Sequence, residues 1–248
     1  MSESTTAAWW RGSALAFDIE STGLNVTADR VVTAALVHLG DGKPRPNRFM
    51  IDPGVEIPAE ATAIHGVTTE VAKATGVEPA GALRVIADAL AAALRAGVPV
   101  LGMNLVYDLT LLHFDCLRHG APTLSDRLDG QVAPIVDALV VDRAVDTYRK
   151  GKRKLPNLCA HYKVKHHGEH DSAYDALATA EVIAAIVEKF PALQEMSLPE
   201  LHAAQVRWAR EQQVGLQEYF DQSWRTGEER KVVEMGWPLY DIVAGGAA

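Results

Sequence analysis

The sequence predicts an α/β fold: a mixed sheet with helices on both faces, continued by a C-terminal helical extension. Three observations predict it. Residues 14–51 hold three stretches rich in strand-forming residues, separated by turn signals. Residues 79–190 alternate short apolar stretches with amphipathic helical patterns, as strands and covering helices do. Beyond Pro191 a single long helical pattern follows with no further strand. The chain has 248 residues, 48% of them hydrophobic and 23% charged, enough for one large domain or a domain with an appendage. We therefore expect a domain over 1–190 and an extension over 191–248.

The elements follow in order. Ala14 to Ile19 reads as a central strand, being small and apolar until it ends in acid. Arg30 to Leu39, rich in Val and Ala, reads as a second strand. Gly40-Asp41-Gly42 turns the chain, and Asn47 to Ile51 returns as a third strand closed by Pro53-Gly54. Pro58 to Gly76 reads as short helical pieces interrupted at Ile64-His65-Gly66-Val67. Pro79 to Ala96 is a helix, because Leu83, Ile86, Leu90 and Leu94 share one face and Gly97 ends it. Val98 to Gly102 is a short strand, and Tyr107 to His119 a second amphipathic helix. Pro134 to Asp137 is a strand running into a helix through Val145. Helices are expected over 155–162, 172–190 and 198–224.

Composition excludes some classes. No apolar run is long enough to span a bilayer, and the N-terminus lacks a basic-then-apolar leader. Cys116 and Cys159 have neither metal-ligand spacing nor a disulfide framework, which points to a reducing cytoplasm. The net charge of −8 argues against general adhesion to nucleic acid but not against a local basic track.

Chemistry concentrates at the end of the first strand. Asp18 and Glu20 are two residues apart, so a strand presents both carboxylates on one face. Adjacent anions repel unless a cation neutralises them, and hard oxygen ligands suit Mg²⁺ or Mn²⁺. Taken alone, such a pair can equally be a polar strand end. Asp108 lies where a helix follows a short strand, four residues after Asn104; a capping asparagine and an acid at the positive helix end would explain both. His170 and Asp175 stand at the start of the last core helix. Ser172 to Asp175 also fits a capping box, which would need no metal, and His166, His167 and His170 could form a polar loop. His65 and Gly66 at a turn could line a pocket for a sugar or base, or merely join two helices. All these groups gather where a doubly covered sheet collects its strand ends, the usual place for a site.

The ordered set resembles the DEDDh family of 3′–5′ exonucleases, which includes the proofreading subunit of bacterial DNA polymerase III. Its motifs match Asp18-Ile-Glu20-Ser-Thr-Gly23, Asn104 with Asp108, and His170 with Asp175. The Ile64-His65-Gly66-Val67-Thr68 and Lys154-Leu155-Pro156-Asn157-Leu158 stretches are also similar to the family, over about residues 13–190. Met103 stands where many relatives carry His. The resemblance implies a ribonuclease H-like fold and two-metal phosphodiester hydrolysis with Mg²⁺ or Mn²⁺. Asp18 would bridge both ions, Glu20 and Asp175 would hold the first, and Asp108 would act mainly through bound water. Two divalent ions would offset the repulsion between a phosphodiester and a hydroxide, and His170 would be the general base. Thr22, Gly23, Leu24, His65, Gly66, Asn104 and Lys154 would contact substrate.

The implied substrate is the 3′ end of single-stranded DNA, in replication or repair, with RNA as the alternative. A non-catalytic, polymerase-associated or nucleic-acid-binding subunit is the alternative from another class. Residues 147–168 hold Arg149, Lys150, Lys152, Arg153, Lys154, Lys163 and Lys165 with no Asp or Glu. This run is read as a positive track for phosphates in preference to a solvated loop. Leu201, Trp208, Leu216, Tyr219 and Phe220 suggest an apolar seam on the extension, against the core or a second subunit. Gln213, Leu216, Tyr219 and Phe220 also resemble a sliding-clamp binding box, with a clamp or DNA polymerase as the implied partner, though the seam is the stronger reading.

Overall fold

The computed structural model describes residues 8–40, 42–166, 171–226 and 228–243. The sheet has five strands in the order β3-β2-β1-β4-β5. The strands are β1 (Ala14–Ser21), β2 (Val31–Leu39), β3 (Arg45–Met50), β4 (Val100–Gly102) and β5 (Ile135–Asp137). β1, β2 and β3 form the antiparallel meander, while β4 and β5 run parallel to β1. The mixed sheet expected from the sequence is therefore present. The register of β1 against β2 slips between Glu20 and Ser21, a bulge at the acidic end of the strand.

Alternation along β1 divides the core. Leu15, Phe17 and Ile19 face one side, with Leu83, Ile86 and Leu90 of α3 (Pro79–Arg95) and Leu105, Leu109 and Leu112 of α4 (Leu105–Arg118). Each of these side chains contributes about 2 kcal/mol by leaving water. Ala14 and Ala16 face the other side, with Ala176, Ile183 and Ile186 of α8 (Ser172–Lys189). The small residues let that helix lie close to the sheet. Shorter helices α1 (Ala59–His65) and α2 (Thr69–Thr75) enclose a satellite cluster of Val32, Ile57, Ala61, Val67 and Ala72. Three further helices complete the domain: α5 (Leu124–Arg127), α6 (Ala138–Val145) and α7 (Leu155–Tyr162).

Several boundaries differ from expectation for identifiable reasons. α4 starts at Leu105 rather than Tyr107. The carboxylate of Asp137 accepts hydrogen bonds from the amides of Asn104 and Leu105, both at 2.9 Å, and so closes the helix from another strand. Asn104 itself is left-handed, with φ 62°, and its side chain makes no capping bond. The same Asp137 accepts the amides of Leu139 and Val140 and opens α6. β3 starts two residues earlier than expected and includes Pro46, tolerated because β3 is an edge strand. α5 and α9 (Pro191–Gln194) are single turns that were not anticipated; Pro191 opens a helix instead of only separating two segments.

The extension is built on α10 (Leu198–Ser223), started by a capping box between Ser197 and Glu200. It packs along β5 and α6. Gln205 is fully buried; its side-chain oxygen accepts from the amide of Asp137 at 2.8 Å and its nitrogen donates to the carbonyl of Ile135 at 3.0 Å. His202 Nδ1 accepts the amide of Ile135 at 3.1 Å. Side chains of α10 thus pair with the edge of β5 as a further strand would. Leu201 and Trp208 join the core as the seam reading expects, while Leu216 and Tyr219 remain exposed. The tail returns over α4, where the amide of Tyr240 donates to Thr110. Both cysteines are free and buried. Among the described residues no helix is long and apolar enough to cross a membrane.

Asp137 caps two helices, so Asp137→Ala is expected to lower stability by about 2–4 kcal/mol through two lost caps. Urea unfolding of the variant beside the parent measures this; an unchanged midpoint would show that the amides find other partners.

Candidate active site

Asp18 and Glu20 occupy even positions of β1 and therefore face α8, as the two-residue spacing requires. Asp175 descends from the first turns of that helix. Asp18, Glu20 and Asp175 each bring a carboxylate oxygen within 4.8 Å of the others. Asp108 approaches from the opposite face on α4 and accepts the amide of Ile19, the residue between Asp18 and Glu20, at 3.2 Å. The chain thus converges four carboxylates, from both helical layers, on one strand end.

The cap of α8 bears on the alternative role of Asp175. Asp171, not Ser172, caps α8, accepting the amides of Ala173 and Tyr174. Asp175 then falls one position beyond the capping-box place, and its carboxylate meets both the cluster and His166. Asp171 is held from β3 by Arg48, at 3.2 Å, whose guanidinium also lies 5.5 Å from the ring of Tyr174.

The electrostatics are those of a site built for cations. Burial, followed by the charges of Asp108, Glu20 and Asp175, pushes the Asp18 carboxyl well above its usual range. Burial also raises Asp108 strongly, against the lowering effect of the Ile19 amide. Burial and then Asp175 push Glu20 up to about 7. The crowding of partly buried hard oxygen donors matches a divalent ion of the Mg²⁺ or Mn²⁺ kind. The Asp18, Glu20 and Asp175 cluster is able to coordinate one such ion.

The loop after β1 is held firmly. Thr22 is buried; its hydroxyl donates to Asp29 at 2.7 Å and accepts the amide of Arg30. A Cβ on Gly23 would come within 2.6 Å of the Asp29 carboxylate, so the close approach requires glycine there. The Gly23 carbonyl lies 2.5 Å from the hydroxyl of Tyr107 and 2.8 Å from that of Ser21. Burial pushes Tyr107 up to about 12, which keeps its hydroxyl a donor. Leu24 is 89% exposed at the tip beside the acids. Tyr107 is a site-ordering residue that sequence reasoning missed; its position next to Asp108 was the available signal.

Other expected residues stand on other elements or are placed differently. His65 ends α1 and accepts the amide of Val67, while Gly66 takes the left-handed φ of 75° that closes the helix. Asn104 and the exposed Lys154 line a common groove together with Arg143. His170 lies outside the described residues. His166, read only as a polar loop residue, instead places Nε2 2.5 Å from Asp175. The basic track is partly dismantled. Arg149 and Arg153 both bind the fully buried Asp142, which Tyr162 also reaches at 2.7 Å. Burial alone would raise Asp142, but these partners hold it below its usual range. Lys150, Lys152, Lys154, Lys163 and Lys165 stay exposed. In the clamp-like box, Gln213 exchanges two hydrogen bonds with Gly236 and is held within the chain.

The raised acids set a pH dependence. Folded Glu20 titrates at about 7 against an ordinary 4.5, so the folded state binds more protons between those values. Stability without metal therefore falls as pH rises through that window. We expect the melting temperature in EDTA to drop across that range, the drop to shrink in Glu20→Gln, and Mn²⁺ to reverse it. A melting temperature that holds or rises with pH in EDTA would contradict this.

The sequence profile of the exonuclease family of the RNase T type matches residues 15–183. DNA polymerase III PolC-type of Lacticaseibacillus paracasei is 28% identical over 171 residues, covering 68% of this chain and 11% of that protein. The PolC-type enzyme of Pediococcus pentosaceus is 24% identical over 175 residues, again covering 11% of its length. Among solved structures, E. coli exonuclease I in complex with a dA16 oligonucleotide superposes with a TM-score of 0.63 at 20% identity, covering 74% of this chain and 42% of that one. Exonuclease I from Methylocaldum szegediense gives 0.60 at 20% identity, covering 84% and 46%. The chain spans less than half the length of each of these proteins, and the structural likeness establishes the fold. With the profile running from β1 into α8, and so through every carboxylate of the site, the chain belongs to the RNase T exonuclease family, the DEDDh group that its motifs resemble.

Proposed function

We propose that the protein is a 3′–5′ exonuclease that hydrolyses phosphodiester bonds from the 3′ end of single-stranded DNA. The observation that carries this reading is the meeting of Asp18, Glu20 and Asp175 within 4.8 Å, with Asp108 beside them, in a member of this family. DNA is favoured because the similar proteins are DNA polymerases and a nuclease solved with a DNA oligonucleotide. Two divalent ions, when bound, supply positive charge against the phosphodiester anion and acidify the attacking water. Asp18, Glu20 and Asp175 would hold one, and Asp18 the other, with Asp108 acting mainly through bound water. The raised carboxyls support the need for that charge.

In this reading the remaining residues position the strand. His170 takes the proton of the attacking water. Thr22, Gly23 and the exposed Leu24 flank the terminal nucleotide, held in place by Asp29 and Tyr107. His65 and Gly66 contact its sugar or base, and Asn104 and Lys154 receive the strand that follows. Residues 1–190 carry the nuclease and 191–248 the extension. Two buried free cysteines favour a reducing compartment such as the cytoplasm. A polymerase partner has the PolC-type similarity in its favour. A clamp partner is the weaker reading, because Gln213 is already bound within the chain.

The test is a 5′-labelled single strand of DNA, with matched RNA, in Mg²⁺ or Mn²⁺. A ladder shortening from the 3′ end is expected, faster on DNA and absent in EDTA. Asp18→Ala should lower the rate about 100-fold or more and weaken metal binding by calorimetry. His170→Ala should keep metal binding and lose about 100-fold in rate. Full turnover in His170→Ala would remove it from the role of base. No cleavage of either strand by a folded, metal-loaded protein would favour a binding subunit.

A further inference from the structure

The extension does more than cover the sheet. Between it and the core runs an open groove of about 970 Å³. Its floor is the turn at Met103 and Asn104, one residue before α4, and Asp108 lies one helical turn farther along. One wall comes from the core: Leu139 and Arg143 of α6, Lys152 to Lys154 ahead of α7, and Leu155 at its start. The other comes from the extension: Gln212 and Leu216 of α10, with Val232 and Val233 of the tail.

We infer that this groove holds the single strand of DNA upstream of its 3′ end, with the extension as the second wall of the strand's path. The inference rests on the nuclease reading and carries the strand beyond Asn104 and Lys154 to Arg143 and the wall of the extension. Charge is the first argument. Arg143, Lys152, Arg153 and Lys154 line the groove against the single anion Glu234, in a chain of net charge −8. Arg153 shares the single charge of Asp142 with Arg149, and Arg143 forms no ion pair among the described residues. Arg143 is exposed to the groove, so its guanidinium is available to an anion there. The lining is the second argument. Cations on one wall face apolar side chains on the other, with Leu216 and Val232 exposed at the rim and the ring of Tyr240 within. Phosphates on the basic side and bases on the apolar side are how single strands are held without reading sequence. Size is the third: the groove lies near the top of the range of ligand pockets, roughly 300–1,000 Å³, and is large for one mononucleotide.

The consequence is length dependence. A trinucleotide reaches less of the groove than a dodecamer does. Binding of dT12 and dT3, made resistant by phosphorothioate links at the 3′ end, is read by fluorescence anisotropy in Mg²⁺. Arg143→Glu and Leu216→Glu, on opposite walls, should each weaken dT12 at least fivefold and dT3 less than twofold. The salt dependence of dT12 binding should flatten in Arg143→Glu. Equal weakening of both strands, or unchanged dT12 binding, overturns the inference, and the latter leaves the groove to a polypeptide. If either variant melts abnormally, wild-type protein is photo-crosslinked to dT12 carrying 4-thiothymidine at successive positions. Crosslinks to both 139–155 and 209–240 support the groove; crosslinks to neither overturn it. Hydrolysis of p-nitrophenyl thymidine 5′-phosphate by the wild type separates the two readings. Cleavage with unchanged dT12 binding in both variants refutes the groove alone, and absence of cleavage refutes the nuclease reading beneath it.

Discussion

One fully buried carboxylate joins the parts of this protein. Asp137 ends β5, accepts the amides that open α4, and accepts those that open α6. Its own amide is held by Gln205 of α10. Burial raises its carboxyl, and the amides around it act in the opposite direction, so the charge is supported by dipoles rather than by a counter-ion. The geometry of the site follows from this. Where α4 begins determines where Asp108 arrives beside Ile19. Because α10 grips the same residue through its backbone, the extension and the site share one anchor.

Much of this was legible in the sequence. The Asp18 and Glu20 pair could be placed on one face because strand alternation is fixed by backbone geometry. The helix over 79–96 was visible from its leucine spacing, and the order of strands and helices from their alternation. What stayed hidden depends on partners distant in sequence. Asp137 reads as an ordinary strand end until the pairing of β4 with β5 brings Gly102 opposite it. Asp171 and Ser172 are both good caps, and only the fold chooses between them. A run of cations cannot show that Arg149 and Arg153 turn inward to Asp142. His166 looked like loop until α8 brought Asp175 to it.

The acidic cluster illustrates how function departs from stability. Four carboxylates brought together by both helical layers are unfavourable by burial and by mutual repulsion. The surroundings do not relieve this with a described lysine or arginine on Asp18 or Glu20. They instead fix the neighbouring backbone through Thr22, Asp29, Tyr107 and the Arg48–Asp171 pair. A rigid frame around crowded carboxylates is what a site needs if a ligand is to bring the balancing charge.

The two borders of the sheet also bear on how copies of the chain meet one another. An unpaired strand edge is a template for another molecule's strand. At β3 the outer edge carries Pro46 between exposed Arg45 and Arg48, so an approaching strand finds a missing donor and like charges. At β5 the border is occupied by the side chains of Gln205 and His202. Proline and charge guard one side, and a helix the other. A chain cut short before α10 would keep its acids yet uncover the backbone of Ile135 and Asp137, and self-association would be the first property to change.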